Sequence, residues 1–139
     1  MVTVELNDEK IDGMTLSQLK KAIKDYYGKY LKGTSVVNKQ KLITVDFPAD
    51  SVKHVIYARK PGYTKLKAVF IIKEMIKNAE YLNFKEPDED DGQNILGYFN
   101  FKAKAKIEGN VHWFRIVIRL TNNGKFYYDH SVKVIKKPE

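Results

Sequence analysis

Three histidines, His54, His112 and His130, are the side chains whose ordinary pKa lies nearest neutrality, and the 139-residue chain has no cysteine. Two of them stand among cations and hydroxyls. "SVKHVIYARK" supplies Ser51, Lys53, His54, Arg59 and Lys60, and the C-terminal segment "VHWFRIVIRLTNNGKFYYDHSVKVI" supplies Arg115, Arg119, Tyr128, His130 and Ser131. Those types suit metal-free cleavage of RNA. One group takes a proton from the ribose 2′-OH, another protonates the leaving 5′-oxygen, and cations hold the charge that builds on phosphorus. Histidine serves either proton role, and arginine or lysine holds the charge.

Each histidine also has a plain alternative. If residues 50–59 are helical, Val52, Val55 and Ile56 form the apolar stripe, and His54 lies about 160 to 200° around from it, exposed. His130 depends on the face it takes in its strand.

Other chemistries are thinly represented. The absence of cysteine excludes disulfides, thiolate zinc sites and cysteine nucleophiles, and suits a reducing compartment. There is no glycine-rich phosphate loop, no HExxH, no GxSxG and no Cys/His cluster. A metal site from His112, His130 and a carboxylate would have no spacing signature, and the acidic stretch "NFKEPDEDDGQN" does not fit an EF-hand loop. No metal and no cofactor are expected.

The elements that must carry these residues follow from periodicity. "VTVELN" alternates as a short strand, and "MTLSQLKKAIKDYYGKYLKG" reads as an amphipathic helix opened by a capping box at Thr15 and stopped at Gly33. "KLITVDF" reads as a second strand pairing near the first, giving a strand-helix-strand segment over residues 1–47. Pro48 suits the first turn of a short helix in "PADSVKHVIYARKPG", and "TKLKAVFIIKEMIKNAEYL" reads as a longer helix. The last third is a meander of three strands, "GYFNFKAKAKI", "VHWFRIVIRL" and "KFYYDHSVKVI", joined by "EGN" and "NNG" turns. The fold class expected is α+β, with the N-terminal segment and helices packed on one face of a C-terminal antiparallel β-meander. Residues 1–47 are expected as an N-terminal extension to a domain over 48–139, or as part of one continuous domain.

Alternation sorts the meander into an apolar face and a cationic one. Phe99, Phe101, Ala103, Ala105 and Ile107 alternate with Asn100, Lys102, Lys104 and Lys106, and Phe114, Ile116, Ile118 and Leu120 alternate with Trp113, Arg115, Val117 and Arg119. A two-residue Asn123-Gly124 turn would bury Asp129 and Lys133 in the apolar layer. A three-residue loop with left-handed Gly124 avoids that. It pairs Leu120 with Phe126, Ile118 with Tyr128, Ile116 with His130 and Phe114 with Val132. His130 then faces the helices unless a bulge re-aims it. Lys102, Lys104, Lys106, Trp113, Arg115, Arg119, Tyr127, Asp129, Ser131 and Lys133 share the other face. Clustered cations with aromatic rings suit single-stranded RNA, and a net charge of +8 favours a polyanion. A solvated, aggregation-resistant outer face is the bland alternative.

The run from "SVKHVIYARK" through "KLKAVFIIKEMIKNAEYL" to "FKAKAKIEGNVHWFRIVIRLTNNGKFYYDHSVKVI" resembles the nuclease-like domain of phage and mobile-element polyvalent proteins, within the barnase, EndoU, colicin and RelE superfamily. The resemblance covers residues 51–135. It implies helices followed by an antiparallel sheet, and RNA cleavage without metal. It also implies site positions: Lys53 and His54 in the first helical part, Arg115 in the sheet, and Tyr128, His130 and Ser131 in the last strand. In that scheme His130 and His54 are base and acid, Arg115 and Lys53 clamp phosphate, and Tyr128 and Ser131 orient.

The function expected is a metal-independent endoribonuclease-like domain of phage or mobile-element origin. The alternatives are a non-catalytic nucleic-acid binder, a degenerate nuclease fold used as an interaction module, and a protein that docks an acidic partner through its lysine face. The partners expected are single-stranded RNA and, for a toxin-like nuclease, an immunity or inhibitor protein. No apolar run approaches the roughly 20 residues of a membrane span, and no signal-peptide pattern opens the chain, so a cytoplasmic location without a membrane partner is expected.

Overall fold

A computed structural model describes residues 1–51, 53 and 62–135, the side chains of 129–131 excepted. Its elements are β1 (Thr3–Leu6), α1 (Glu9–Asp12), α2 (Leu16–Tyr26, continued by a π-helical turn Tyr27–Leu31), β2 (Ser35–Val37) and β3 (Thr44–Asp46). There follow α3 (Tyr63–Lys67), a 3-10 turn (Ala68–Ile71), α4 (Ile72–Asn78), β4 (Glu80–Lys85), β5 (Ile95–Ile107), β6 (Asn110–Thr121) and β7 (Phe126–Ile135). The helix expected over "PADSVKHVIYARKPG" lies largely outside the described residues.

The capping box forms as its pattern predicts. Thr15 Oγ1 accepts from the Gln18 amide at 3.2 Å, and Gln18 Oε1 accepts from the Thr15 amide at 2.9 Å, satisfying two donors that the helix start leaves without partners. From there Leu19, Ile23, Tyr27 and Leu31 recur every fourth residue and are all buried. The second helical stretch buries Leu66, Val69, Ile72, Met75 and Ile76 in the same core. The sequence pattern extends this helix to Leu82, but it ends at Asn78, and residues 80–85 become β4. Long-range pairing outweighs the local period here, because only as a strand can Tyr81 pack edge-on against Phe99 and Phe101, at 5.6 and 5.8 Å between ring centres.

The seven strands among the described residues join one curled sheet in the order β1-β5-β6-β7-β3-β2, with β4 beside β1 along the same edge of β5. The sheet is mixed rather than purely antiparallel. β1 runs parallel to β5 and β3 runs parallel to β7, because helices intervene in the connections and return the chain in the same direction. β1 and β3 therefore do not pair with each other, as "VTVELN" and "KLITVDF" were expected to do. They sit on opposite flanks of the meander.

The three-residue loop at the β6–β7 turn is present. Gly124 has φ +78°, and Leu120 pairs with Phe126 and Ile118 with Tyr128. Beyond Tyr128 the expected register fails. Val117 pairs with Ser131, Ile116 with Val132 and Phe114 with Val134, so Asp129 and His130 are two extra residues at a bulge. A shift of two keeps the faces in phase, and Val132 is buried as the alternation requires.

The helices cover the face carrying Phe101, Ala103, Ala105, Phe114, Ile116 and Ile118. At the far end of the β5–β6 hairpin, buried Lys67 of α3 bonds the Glu108 carboxylate in the turn, with Asp12 of α1 at 3.9 Å. That contact ties helices and hairpin tip together.

Two close fits lead to predictions. Gly97 has φ +153°, and a β-carbon there would stand 2.2 Å from the Phe84 ring and 2.8 Å from the Lys85 carbonyl oxygen. Gly97→Ala should lower the unfolding free energy by about 1–3 kcal/mol in a urea titration. An unchanged midpoint would contradict the packing of β4 on β5. Tyr27 is buried and donates to the Pro48 carbonyl at 2.5 Å. Burial pushes its phenol up to about 12, with Asp50 adding to the rise and a hydrogen bond with Ser51 opposing it. A raised folded-state pKa gives stability that is complete below pH ~10 and lost as the pH climbs toward ~12. The stability advantage of wild type over Tyr27→Phe should therefore shrink by about 2–3 kcal/mol across that window.

Candidate functional site

Strand pairing sets residues in rows across the sheet. One row reads Glu80, Lys102, Arg115 and Lys133 from β4 to β7. The next reads Asn83, Asn100, Val117 and Ser131, and the one after reads Lys85, Tyr98, Arg119, Tyr127 and Asp46. On the other side of the first row, Lys104 lies opposite Trp113 with its ammonium 5.5 Å from the ring centre. Arg119 stacks similarly on Tyr127, at 5.5 Å. Lys106 faces Glu5 of β1.

The first row is electrostatically awkward. Like charges directly opposite each other destabilise a sheet, and among the described residues Glu80 pairs with Lys102 alone, at 3.5 Å. Arg115 and Lys133 are both exposed and stand opposite each other. A ligand with negative charge would relieve them.

A cavity of about 420 Å³ opens over these rows. Arg115 and Lys133 line it from the first, Asn100 and Val117 from the second, and Tyr98 with Lys85 from the third; Asp88 completes the wall and pairs with Lys85 at 3.5 Å. Bulges border its central row on both flanks. Leu82 is the extra residue where β4 slips against β5, and Asp129 and His130 are the extra residues where β7 slips against β6. Bulges bend strands and sharpen twist. A further irregularity, where β5 slips against β6 at Leu96, adjoins the cavity-lining Tyr98.

The residues expected to bind RNA are brought together. Lys102, Lys104, Lys106, Trp113, Arg119, Tyr127 and Lys133 occupy one face with Arg115, on the side of the sheet away from the helices. The remaining residues of the expected site are only partly described. Tyr128 lies on the opposite face from Arg115, 1% exposed, with its ring 5.4 Å from that of Phe47. Ser51 is buried and its hydroxyl donates to the Tyr128 carbonyl at 2.9 Å, while Lys53 is exposed. His54, Arg59 and Lys60 lie outside the described residues, as do the side chains of His130 and Ser131. His112 lies opposite Ala105 on the apolar side, 6.3 Å from the Phe114 ring. Among the described residues no group of three His, Asp or Glu side chains is placed to hold a metal ion.

Sequence reasoning passed over Tyr98, Asn100 and Lys85 as site residues. The period-two signal contained the first two, since both fall between inward residues of β5. Lys85 is hidden because the local pattern continues the preceding helix to Leu82 and turns polar after it.

No curated protein and no solved structure matches the chain. No helix among the described residues is long and apolar enough to cross a membrane. A family model does match, over residues 14–128, a span that takes in α2 and every element through the first residues of β7. The chain belongs to the family of large polyvalent protein-associated domain 3.

Proposed function

We propose that this domain binds single-stranded RNA across the outer face of its sheet. The observation that carries the proposal is the row Lys102, Arg115 and Lys133, three cations side by side with Glu80 as the only carboxylate in the row. Flanking rows add Trp113 and Tyr127 as surfaces on which bases can stack, each already beside a cation. Charge for the backbone together with rings for the bases is the combination by which open sheets hold single strands. The family's polyvalent context fits a phage or mobile-element origin and work in the cytoplasm.

A second reading adds cleavage, as in the barnase, EndoU, colicin and RelE superfamily. It draws support from the Ser51 to Tyr128 hydrogen bond, which joins the two segments that the resemblance pairs, next to the bulge at Asp129 and His130. In this reading His130 and His54 move the protons. The 2′-oxygen attacks phosphorus as its proton leaves, the 5′-oxygen departs with a proton, and the products are a 2′,3′-cyclic phosphate and a 5′-hydroxyl.

Binding should weaken steeply with salt, the logarithm of affinity falling by about 0.7 per phosphate contacted for each unit of log salt. Arg115→Ala and Lys133→Ala should each lower affinity and flatten that slope by about one contact, read by fluorescence anisotropy with a labelled oligoribonucleotide. Salt-independent or absent binding would remove the proposal. For cleavage, wild type in EDTA should produce cyclic phosphate ends, and His130→Ala should lose cutting while retaining affinity. Intact RNA at high protein concentration with retained binding would leave the domain a binder alone.

A further inference from the structure

Asn100 is the polar residue at the centre of the outer face that the RNA proposal does not use. It is 9% exposed, lines the cavity, and lies between Asn83 and Val117 in the central row. Among the described residues its one side-chain hydrogen bond runs from Nδ2 to Oδ1 of Asn83, at 2.8 Å. In this orientation that bond uses one of its two amide hydrogens. One N–H and the carbonyl oxygen Oδ1 are left over.

A phosphate does not match such a group, because it offers acceptors only and would meet the Asn100 oxygen with like polarity. A nucleobase edge does match. A carboxamide meets adenine with two hydrogen bonds, its oxygen accepting from the 6-amino group and its N–H donating to a ring nitrogen. Unpaired cytosine and uracil carry a like pair on their pairing edges, but adenine offers it on two edges and brings the larger ring for Val117 and Tyr98 to cover. The surroundings suit a flat heterocycle: Val117 gives an aliphatic surface beside Asn100, Tyr98 gives a ring in the neighbouring row, and Arg115 with Lys133 stand in the row on the other side. The volume of about 420 Å³ falls among pockets that enclose a small ligand.

We propose that this cavity is a pocket for one unstacked adenine base, read by the Asn100 amide while Arg115 and Lys133 hold the adjoining phosphate. Asn83 is a positioning residue that holds the amide. The inference rests on the strand-binding proposal for the same face. Adenine can arrive within a strand or as a free nucleotide, and the test separates the two.

Affinities of wild type, Asn100→Leu and Asn83→Ala would be measured for oligo(A), oligo(C) and oligo(U) of equal length and for AMP, with thermal melting as the folding control. Wild type should prefer oligo(A) by roughly tenfold. Asn100→Leu should lose that preference while keeping the salt-dependent binding common to all three strands. Asn83→Ala should reduce the preference, which a purely structural role for the pair would leave untouched. Equal affinity of wild type for the three strands overturns the adenine pocket and leaves strand binding standing. AMP binding that needs Asn100, with no strand bound, keeps the pocket and overturns the strand proposal. If Asn100→Leu does not fold, the wild-type preference and the Asn83→Ala result decide the matter.

Discussion

Two faces of one sheet cannot be set independently, and the rest of this structure depends on that constraint. Side chains alternate along a strand, so any slip by one residue would drive Arg115, Lys133 and the lysines of β5 into the core and bring Phe114 and Ile116 to the surface. Burial of the apolar set against α2, α3 and α4 therefore also holds the cations in their rows. Hydrophobic burial is the larger force, and it supports the repulsion between the lysine and arginine side chains on the other side. The short loop at Gly124 matters for the same reason. Its left-handed glycine starts β7 in the register that keeps Phe126 and Tyr128 with the inward residues of β6.

The two-residue slip in β7 shows how a bulge can change a site without inverting a face. Because the insertion is even, Val132 returns to the core side and Lys133 to the outer side, opposite Arg115. A single extra residue would have exchanged them. The strand also leaves its parallel partner here, since β3 pairs with β7 only at Phe126 and Tyr127. Ser51 then takes up the Tyr128 carbonyl, supplying the hydrogen bond that β3 no longer gives.

Much of this was written in local pattern. The faces of β5 and β6, the capping box of α2 and the loop at Gly124 all follow from residues within a few positions of one another. What escaped was non-local or short. β2 is only Ser35–Val37, too brief for alternation to register, and nothing near β1 or β3 signals parallel pairing with strands far along the chain. β4 was masked because Tyr81 and Leu82 continue the helical apolar run, and its extra Leu82 breaks the alternation that would mark a strand. The cationic face was legible because it required only period two. The cavity was not, since its lining comes from three strands with irregular pairing and from Lys85 and Asp88 of β4 and the loop after it.

If the domain binds RNA as proposed, the outer face of the sheet is the surface that meets it. The most direct measurement is a residue-by-residue map of amide chemical-shift changes as a single-stranded oligoribonucleotide is added to the labelled protein. The changes should concentrate on β5, β6 and β7 around Tyr98–Lys104, Trp113–Arg119, Tyr127 and Lys133, with α2 and α4 unmoved. Shifts confined to the helices, or none at concentrations that saturate binding, would contradict it.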